Sequence, residues 1–174
     1  IINKAGPKTY FIGSNYIYPR TMNKAAKLVL KRSGGQLLGE KYINLDVSEE
    51  AGFTEVIADI KAKKPDWVFS NVVGGSSVAF MRAYKKAGLT KDNMPILSCP
   101  LTEPEVAATG IEYCEGHYTS FTYFQSIDRP DNKSFIKRYQ AYVSTKAEWA
   151  NEPVLTSGVM EASYIGMLAC KQAM

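Results

Sequence analysis

The chain has 174 residues, 45% of them hydrophobic and 22% charged, with 13 glycines and 8 prolines. That is the make-up of a folded globular protein with chain enough for a real core; it excludes a disulfide miniprotein, a collagen-like fibre and a disordered tail. Lys and Arg number 21 against 17 Asp and Glu, a formal charge of +4 without a long basic block, which argues against a nucleic-acid partner.

Thr9-Tyr10-Phe11-Ile12-Gly13 is a β-branched and aromatic run, which predicts a first strand. Pro19 suits a first helical turn, and Met22, Ala25, Ala26 and Val29 keep the spacing of one helical face until Gly34-Gly35 ends it. Leu37-Leu38 through Tyr42-Ile43 predicts a second strand. Phe53, Val56, Ile57 and Ile60 mark a helix whose Lys61, Lys63 and Lys64 suit the negative end of its dipole, broken by Pro65-Asp66. Trp67 through Val73 is apolar enough for a strand buried on both faces, as parallel strands are. Gly74-Gly75-Ser76 turns into a helix with Phe80, Met81 and Tyr84 inward and Gly88 at its end. Pro95 through Cys99 predicts a fourth strand, and Thr102-Glu103-Pro104-Glu105 a capping box opening a short helix. Gly116 through Phe121 predicts a fifth strand. Phe135, Ile136, Tyr139, Tyr142 and Val143 mark an amphipathic helix, and a break at Asn151-Glu152-Pro153 precedes a last helix from near Gly158.

Strands alternating with helices of this length predict an α/β fold: parallel strands, right-handed crossovers and a three-layer doubly wound parallel sheet. No run approaches the roughly 20 apolar residues of a bilayer crossing. The last helix is apolar on nearly every face and needs a surface beyond this lobe. The chain opens on Ile1-Ile2-Asn3-Lys4 and closes within a helix, so it reads as a piece of a longer protein. Cys99, Cys114 and Cys170 form no C-x-x-C and read as small buried hydrophobes, with one disulfide the most they could make; a single histidine, His117, leaves metal chemistry little to work with, and no cofactor is expected.

Ligands of an open parallel sheet bind outside the carboxyl ends of its strands, which selects three segments. After the first strand, Tyr16 and Tyr18 precede Pro19 and are expected in extended chain, projecting to one side as two flat walls with hydroxyl tips. The alternative is simple packing at the sheet rim. After the third strand, Val73, Gly74 and Gly75 let backbone approach a ligand and Ser76 is placed to cap the helix; a tight turn is the plainer account. After the fourth come Pro100, Leu101 and Glu103, the last favouring a helix N-terminus or meeting a ligand amine. Tyr123 and Phe124, beside Gln125-Ser126, are expected to face a cleft or a neighbouring lobe. A catalytic reading has only Ser76, His117 and a carboxylate such as Glu103 to use, without the G-x-S-x-G of a nucleophile elbow.

Tyr10-Phe11-Ile12-Gly13-Ser14-Asn15-Tyr16-Ile17-Tyr18-Pro19-Arg20, Val68 through Gly74, Tyr123-Phe124-Gln125-Ser126-Ile127-Asp128-Arg129-Pro130 and Met160 through Gly166 resemble, in order, the type I periplasmic solute-binding proteins. More narrowly they look like the branch binding urea and short-chain aliphatic amides, which includes the amide sensor of an amidase operon and the binding component of urea ABC transporters. The resemblance implies two α/β lobes hinged by three crossing strands and closing on a solute. Residues 1–150 would be the second, carboxy-terminal lobe, and 151–174 the helix returning to the first. It implies a non-enzyme, periplasmic or extracellular, taking urea, a short-chain amide or a branched-chain amino acid and serving the membrane permease of an ABC transporter. Ligand contacts carry to Tyr16 and Tyr18, to Val73, Gly74 and Gly75, and to Pro100 and Leu101, where amide-binding relatives tend to have small hydroxyl residues. A sensor domain of the same fold is the second reading and a small α/β hydrolase a remote third. An isolated lobe could also pair with a second copy through its cleft and last helix.

Overall fold

The structure is a computed structural model and describes residues 1–149 and 154–174. Its strands are β1 (Lys8–Ser14), β2 (Gln36–Ile43), β3 (Trp67–Asn71), β4 (Ile96–Ser98) and β5 (Tyr118–Thr119). They form one parallel sheet in the order β2-β1-β3-β4-β5. The helices are α1 (Ile2–Ala5), α2 (Ile17–Arg32), α3 (Thr54–Lys63), α4 (Gly74–Lys86), α5 (Glu103–Thr109), α6 (Ile111–Cys114), α7 (Pro130–Val143) and α8 (Gly158–Ala173).

Side-chain alternation along the strands builds the three layers. Tyr10, Ile12, Val68, Val72 and Ile96 point to one face, where Phe53, Val56, Ile57 and Ile60 from the α3 region and Phe80 and Tyr84 from α4 cover them. Phe11, Trp67, Phe69 and Cys99 point to the other, beneath Met22, Ala26 and Leu30 of α2 and Ile2 of α1. Phe11 and Phe69 lie side by side in the sheet register, their ring centroids 5.0 Å apart. Trp67–Asn71 is buried throughout, as its apolar run predicts.

The chain leaves β1 toward β2 and later returns to the other side of β1 as β3. The winding therefore reverses between β1 and β3, and the crevice at their carboxyl ends is the place such sheets leave for a ligand. Close approach fixes it locally: a Cβ on Gly13 would lie 2.7 Å from the Pro19 Cβ, so the start of α2 sits directly on the end of β1.

Several local expectations are corrected. β4 and β5 are shorter than the sequence runs, and α1, α6 and a 3-10 turn at Glu50–Phe53 carry no strong periodic signal to announce them. α2 begins at Ile17, so Tyr18 is helical although it precedes Pro19; the first turn tolerates this because its N–H groups have no intrahelical acceptors. Gly74 and Gly75 are the first residues of α4, whose N-cap is Val73; Ser76 does not cap it. Cys99 and Cys114 are buried, Cys170 is exposed, and all three are free thiols. The predicted break at Asn151-Glu152-Pro153, and with it the boundary between 150 and 151, lies outside the described residues.

Candidate functional site

The crevice is sewn together from both sides. The Ser14 hydroxyl, at the end of β1, accepts the backbone N–H of Val73, just past β3, at 3.1 Å. Deeper, a side-chain relay runs from β3 to β2 through Asn23 of α2. Asn71 Nδ2 donates to Asn23 Oδ1 at 2.9 Å, and Asn23 Nδ2 donates to Glu40 Oε1 and to the Tyr42 hydroxyl, each at 3.3 Å. Tyr42 donates to Glu40 at 2.7 Å, and Lys27 pairs with the same carboxylate. Burial pushes the Glu40 carboxyl up, but the hydrogen bonds from Lys27, Tyr42 and Asn23 outweigh it and hold the group below its ordinary value.

Tyr16 and Tyr18 stand at this mouth with ring centroids 6.2 Å apart and planes tilted by 39°. Tyr16 is the N-cap of α2 and keeps an extended backbone (φ −153°), while Tyr18 lies in the first turn. The predicted pairing is thus realised through a cap and a helix turn instead of an extended loop. Both rings are half-buried, and neither hydroxyl bonds to another described residue. Burial raises both phenols, Tyr18 to about 12 with the nearby Cys99 thiol and Tyr16 adding to it. They therefore stay protonated across neutral pH, and each can donate to a carbonyl oxygen or accept from an N–H.

Gly74 (φ +60°) needs glycine for its backbone and opens onto free space, since nothing lies within 4 Å of where its Cβ would be. Gly75 is exposed beside it, and Val73 is partly buried. Ser76 is drawn inward, its hydroxyl donating to the Val47 carbonyl at 2.5 Å and holding down the connection between β2 and α3. Pro100 is half-buried at the rim. Leu101, the other residue of the turn after β4, turns its side chain into the core: it is 4% exposed and clusters with residues of α4, and its carbonyl accepts the Thr119 hydroxyl at 2.7 Å. The run Cys-Pro-Leu gives no hint of which of its members turns inward.

Glu103 opens α5 as foreseen. The capping box is formed, with the Glu105 carboxylate accepting the Thr102 N–H at 2.9 Å and the Thr102 hydroxyl at 2.6 Å. Glu103 Oε1 accepts the backbone N–H of Ser126 at 3.0 Å, tying the chain beyond β5 to the mouth of β4, and Oε2 is buried without a partner. Tyr123 is 6% exposed, and what shows of it lines a cleft between α7 and α8 together with Phe135, Tyr164 and Leu168. Its hydroxyl joins Asn132 of α7 at 2.8 Å and Thr156, ahead of α8, at 2.7 Å, while Gln125 Oε1 accepts from Thr156 N–H at 2.7 Å. Phe124 beside it is half-buried. Tyr123 is a strut binding the segment after β5 to the segment that enters α8. Sequence reasoning gave no role to Ser14, Asn23 or Asn71: Ser14 and Asn71 end apolar runs and look like ordinary strand ends, and Asn23 is one polar residue within a helix.

Ser76 and His117 do not form a catalytic pair. Ser76 lies at the carboxyl edge of the sheet, whereas His117 Nδ1 accepts the N–H of Ile96, the first residue of β4, at the opposite edge. Burial, then the charges of Lys85 and Lys91, push the imidazole down to about 4. Among the described residues no three His, Cys, Asp or Glu side chains gather as a metal site, and no helix is long and apolar enough to cross a membrane.

The chain as a whole has relatives among known proteins. The sequence matches the family described as periplasmic binding protein domain over residues 1–174, and the chain belongs to that family of type I periplasmic solute-binding proteins. Among similar solved structures is an ABC transporter solute-binding protein of R. palustris in complex with 4-hydroxybenzoate, 24% identical, with a TM-score of 0.72 over 80% of this chain and 38% of that one. An amino acid ABC transporter substrate-binding protein of Pseudomonas fluorescens Pf-5 is 24% identical, with a TM-score of 0.69 over 82% of this chain and 37% of that one. A leucine-, isoleucine-, valine-, threonine- and alanine-binding protein of Brucella ovis, in a closed conformation, is 20% identical with a TM-score of 0.66 over 80% of this chain and 34% of that one. These likenesses establish the fold of a periplasmic-binding-protein lobe, and the chain spans less than two fifths of each relative's length.

Proposed function

We propose that this chain is the carboxy-terminal lobe of a two-lobe solute receptor that binds without catalysis. The observation that carries it is the pair Tyr16 and Tyr18, whose protonated, unengaged hydroxyls stand at the reversal of the sheet winding. Two phenols and the glycine backbone of Gly74-Gly75 suit a small polar solute: the rings exclude water while hydroxyl and amide groups read a carbonyl or an amine. The proposed solute is urea, a short-chain amide or a branched-chain amino acid.

Binding works by closure, the solute bridging two lobes and so favouring the closed population. α8 supports a second lobe. It presents Val159 (68% exposed), Ile165, Met167 (71% exposed) and Leu168 to solvent, an apolar surface suited to a partner surface of the same protein. In this reading residues 151–174 return to the first lobe. The receptor resides in the periplasm or outside the cell and delivers its solute to the permease of an ABC transporter.

Titration calorimetry of the two-lobe protein against urea, acetamide, leucine, isoleucine and valine tests the proposal. Saturable one-to-one heat with one of these classes is expected. Silence with all of them contradicts it.

A further inference from the structure

α8 is pinned at its root and held lightly along its body. Thr156, just ahead of it, is fully buried. Its N–H donates to Gln125 Oε1 at 2.7 Å, and its hydroxyl meets the Tyr123 hydroxyl at 2.7 Å and Gln125 Oε1 at 3.0 Å. Ser157 then caps the helix, accepting the Met160 N–H, and a Cβ on Gly158 would run into the Phe121 ring. The first turn thus sits hard against this lobe. Beyond it, Val159, Ile165, Met167 and Leu168 are all exposed.

Among the described residues the body of α8 makes one hydrogen bond to α7, from Arg138 Nη2 to the Tyr164 hydroxyl at 3.0 Å. Arg138 is aimed by Ser134, a turn earlier on α7, whose hydroxyl accepts Nη1 at 2.9 Å. The Phe135 and Tyr164 rings lie with centroids 5.0 Å apart, and the guanidinium stands 5.7 Å from the centre of the Tyr164 ring. Beside this contact the two helices part around a cleft of about 410 Å³, lined in part by Phe135, Glu161 and Leu168. Helices packed ridge into groove along their length leave no such space, so α7 and α8 meet chiefly through Tyr164.

A pinned root with one contact farther out is a lever. Tyr164 lies about 10 Å along the axis from Ser157, at 1.5 Å per residue. A rotation of about 20° at the root carries it about 3–4 Å, enough to break the hydrogen bond and part the rings.

We propose, resting on the two-lobe reading above, that Arg138, Phe135 and Tyr164 form a latch that holds the first lobe in one orientation relative to this one. They are positioning residues: they set the opening equilibrium through α8 and do not touch the solute. A contact made in one orientation and lost in the other biases the two populations by its own free energy. One aromatic pair with one hydrogen bond corresponds to a shift of about threefold to tenfold.

The test is calorimetry on the two-lobe protein with urea, acetamide, leucine, isoleucine and valine, together with melting temperatures. Tyr164→Ala, which removes the whole contact, is expected to change solute affinity at least threefold, by the same factor for every solute that binds. Tyr164→Phe and Arg138→Met, which each remove the hydrogen bond and spare the ring pair, are expected to shift affinity about twofold in that same direction at an unchanged melting temperature. The double variant is expected to go no further than either, because both lose one shared bond. Should Tyr164→Ala fail to fold, the two conservative variants and their combination decide. Unchanged affinity in all variants, full additivity of the two conservative ones, or an altered preference among solutes overturns the latch and leaves the receptor reading intact. Silence of the unaltered protein with every solute overturns the receptor reading and the latch with it.

Discussion

The Ser14 hydroxyl accepts the Val73 backbone N–H at 3.1 Å, so the chain leaving β3 is held to the chain leaving β1 where the sheet reverses its winding. Ser14→Ala leaves that N–H without its acceptor in a partly buried setting. The expected loss is about 1–2 kcal/mol, read by denaturant unfolding, with the larger effect on solute affinity because Val73 and Gly74 lose their anchor.

Gly13 and Gly74 are glycines for different reasons, and alanine separates them. At Gly74 the cost is backbone alone, since the added methyl meets open space at a φ of +60°. A loss of about 1–2 kcal/mol is expected. At Gly13 the methyl would come within 2.7 Å of the Pro19 Cβ and push α2 off the end of β1. Overpacking of this kind costs about 1–3 kcal/mol, and Gly13→Ala is also expected to disturb the Tyr16–Tyr18 pair. Chemical denaturation of both variants gives the two numbers side by side.

His117 makes stability pH-dependent. Folded, it is held near 4, chiefly by burial, while accepting the Ile96 N–H; unfolded, it titrates near the ordinary value of about 6.5. Between those values the unfolded chain binds the extra proton, so the stabilising contribution is complete above about 6.5 and is lost as pH falls toward 4. The expected loss is of order 2 kcal/mol. His117→Asn, which can still accept from Ile96 but does not titrate, should flatten that part of a stability profile measured from pH 7 to pH 4.

Tyr123→Phe removes one hydroxyl that serves both Asn132 and the fully buried Thr156. A destabilisation of about 1–3 kcal/mol is expected, measured by thermal unfolding. If Tyr123 instead faced the solute, the same variant would alter affinity with stability unchanged.

What the sequence made legible follows from how each signal arises. Apolar periodicity and Gly/Pro punctuation come from the chain's own neighbourhood, so α2, α3, α4, α7 and α8, the strands and the Thr102–Glu105 box could be read directly. Their alternation gave the parallel sheet, and Tyr16, Tyr18 and Gly74 lie, as read, just past the carboxyl ends of β1 and β3. What was not legible depends on partners distant in sequence. Leu101 turns inward because α4 covers it, and Tyr123 is buried because Asn132 and Thr156 close over it. Ser76 abandons the cap to hold Val47, a residue 29 positions earlier. The Asn71–Asn23–Glu40 relay joins β3, α2 and β2, and no local pattern announces such a chain of small polar residues.

The phenol pair is where the receptor reading stands most exposed to experiment. A crystal structure of the two-lobe protein grown with its best-bound solute would show where that solute rests. The solute is expected between the lobes, in van der Waals contact with the Tyr16 and Tyr18 rings and within hydrogen-bond distance of at least one of their hydroxyls. Clear density for it elsewhere, with both rings untouched, would contradict the account.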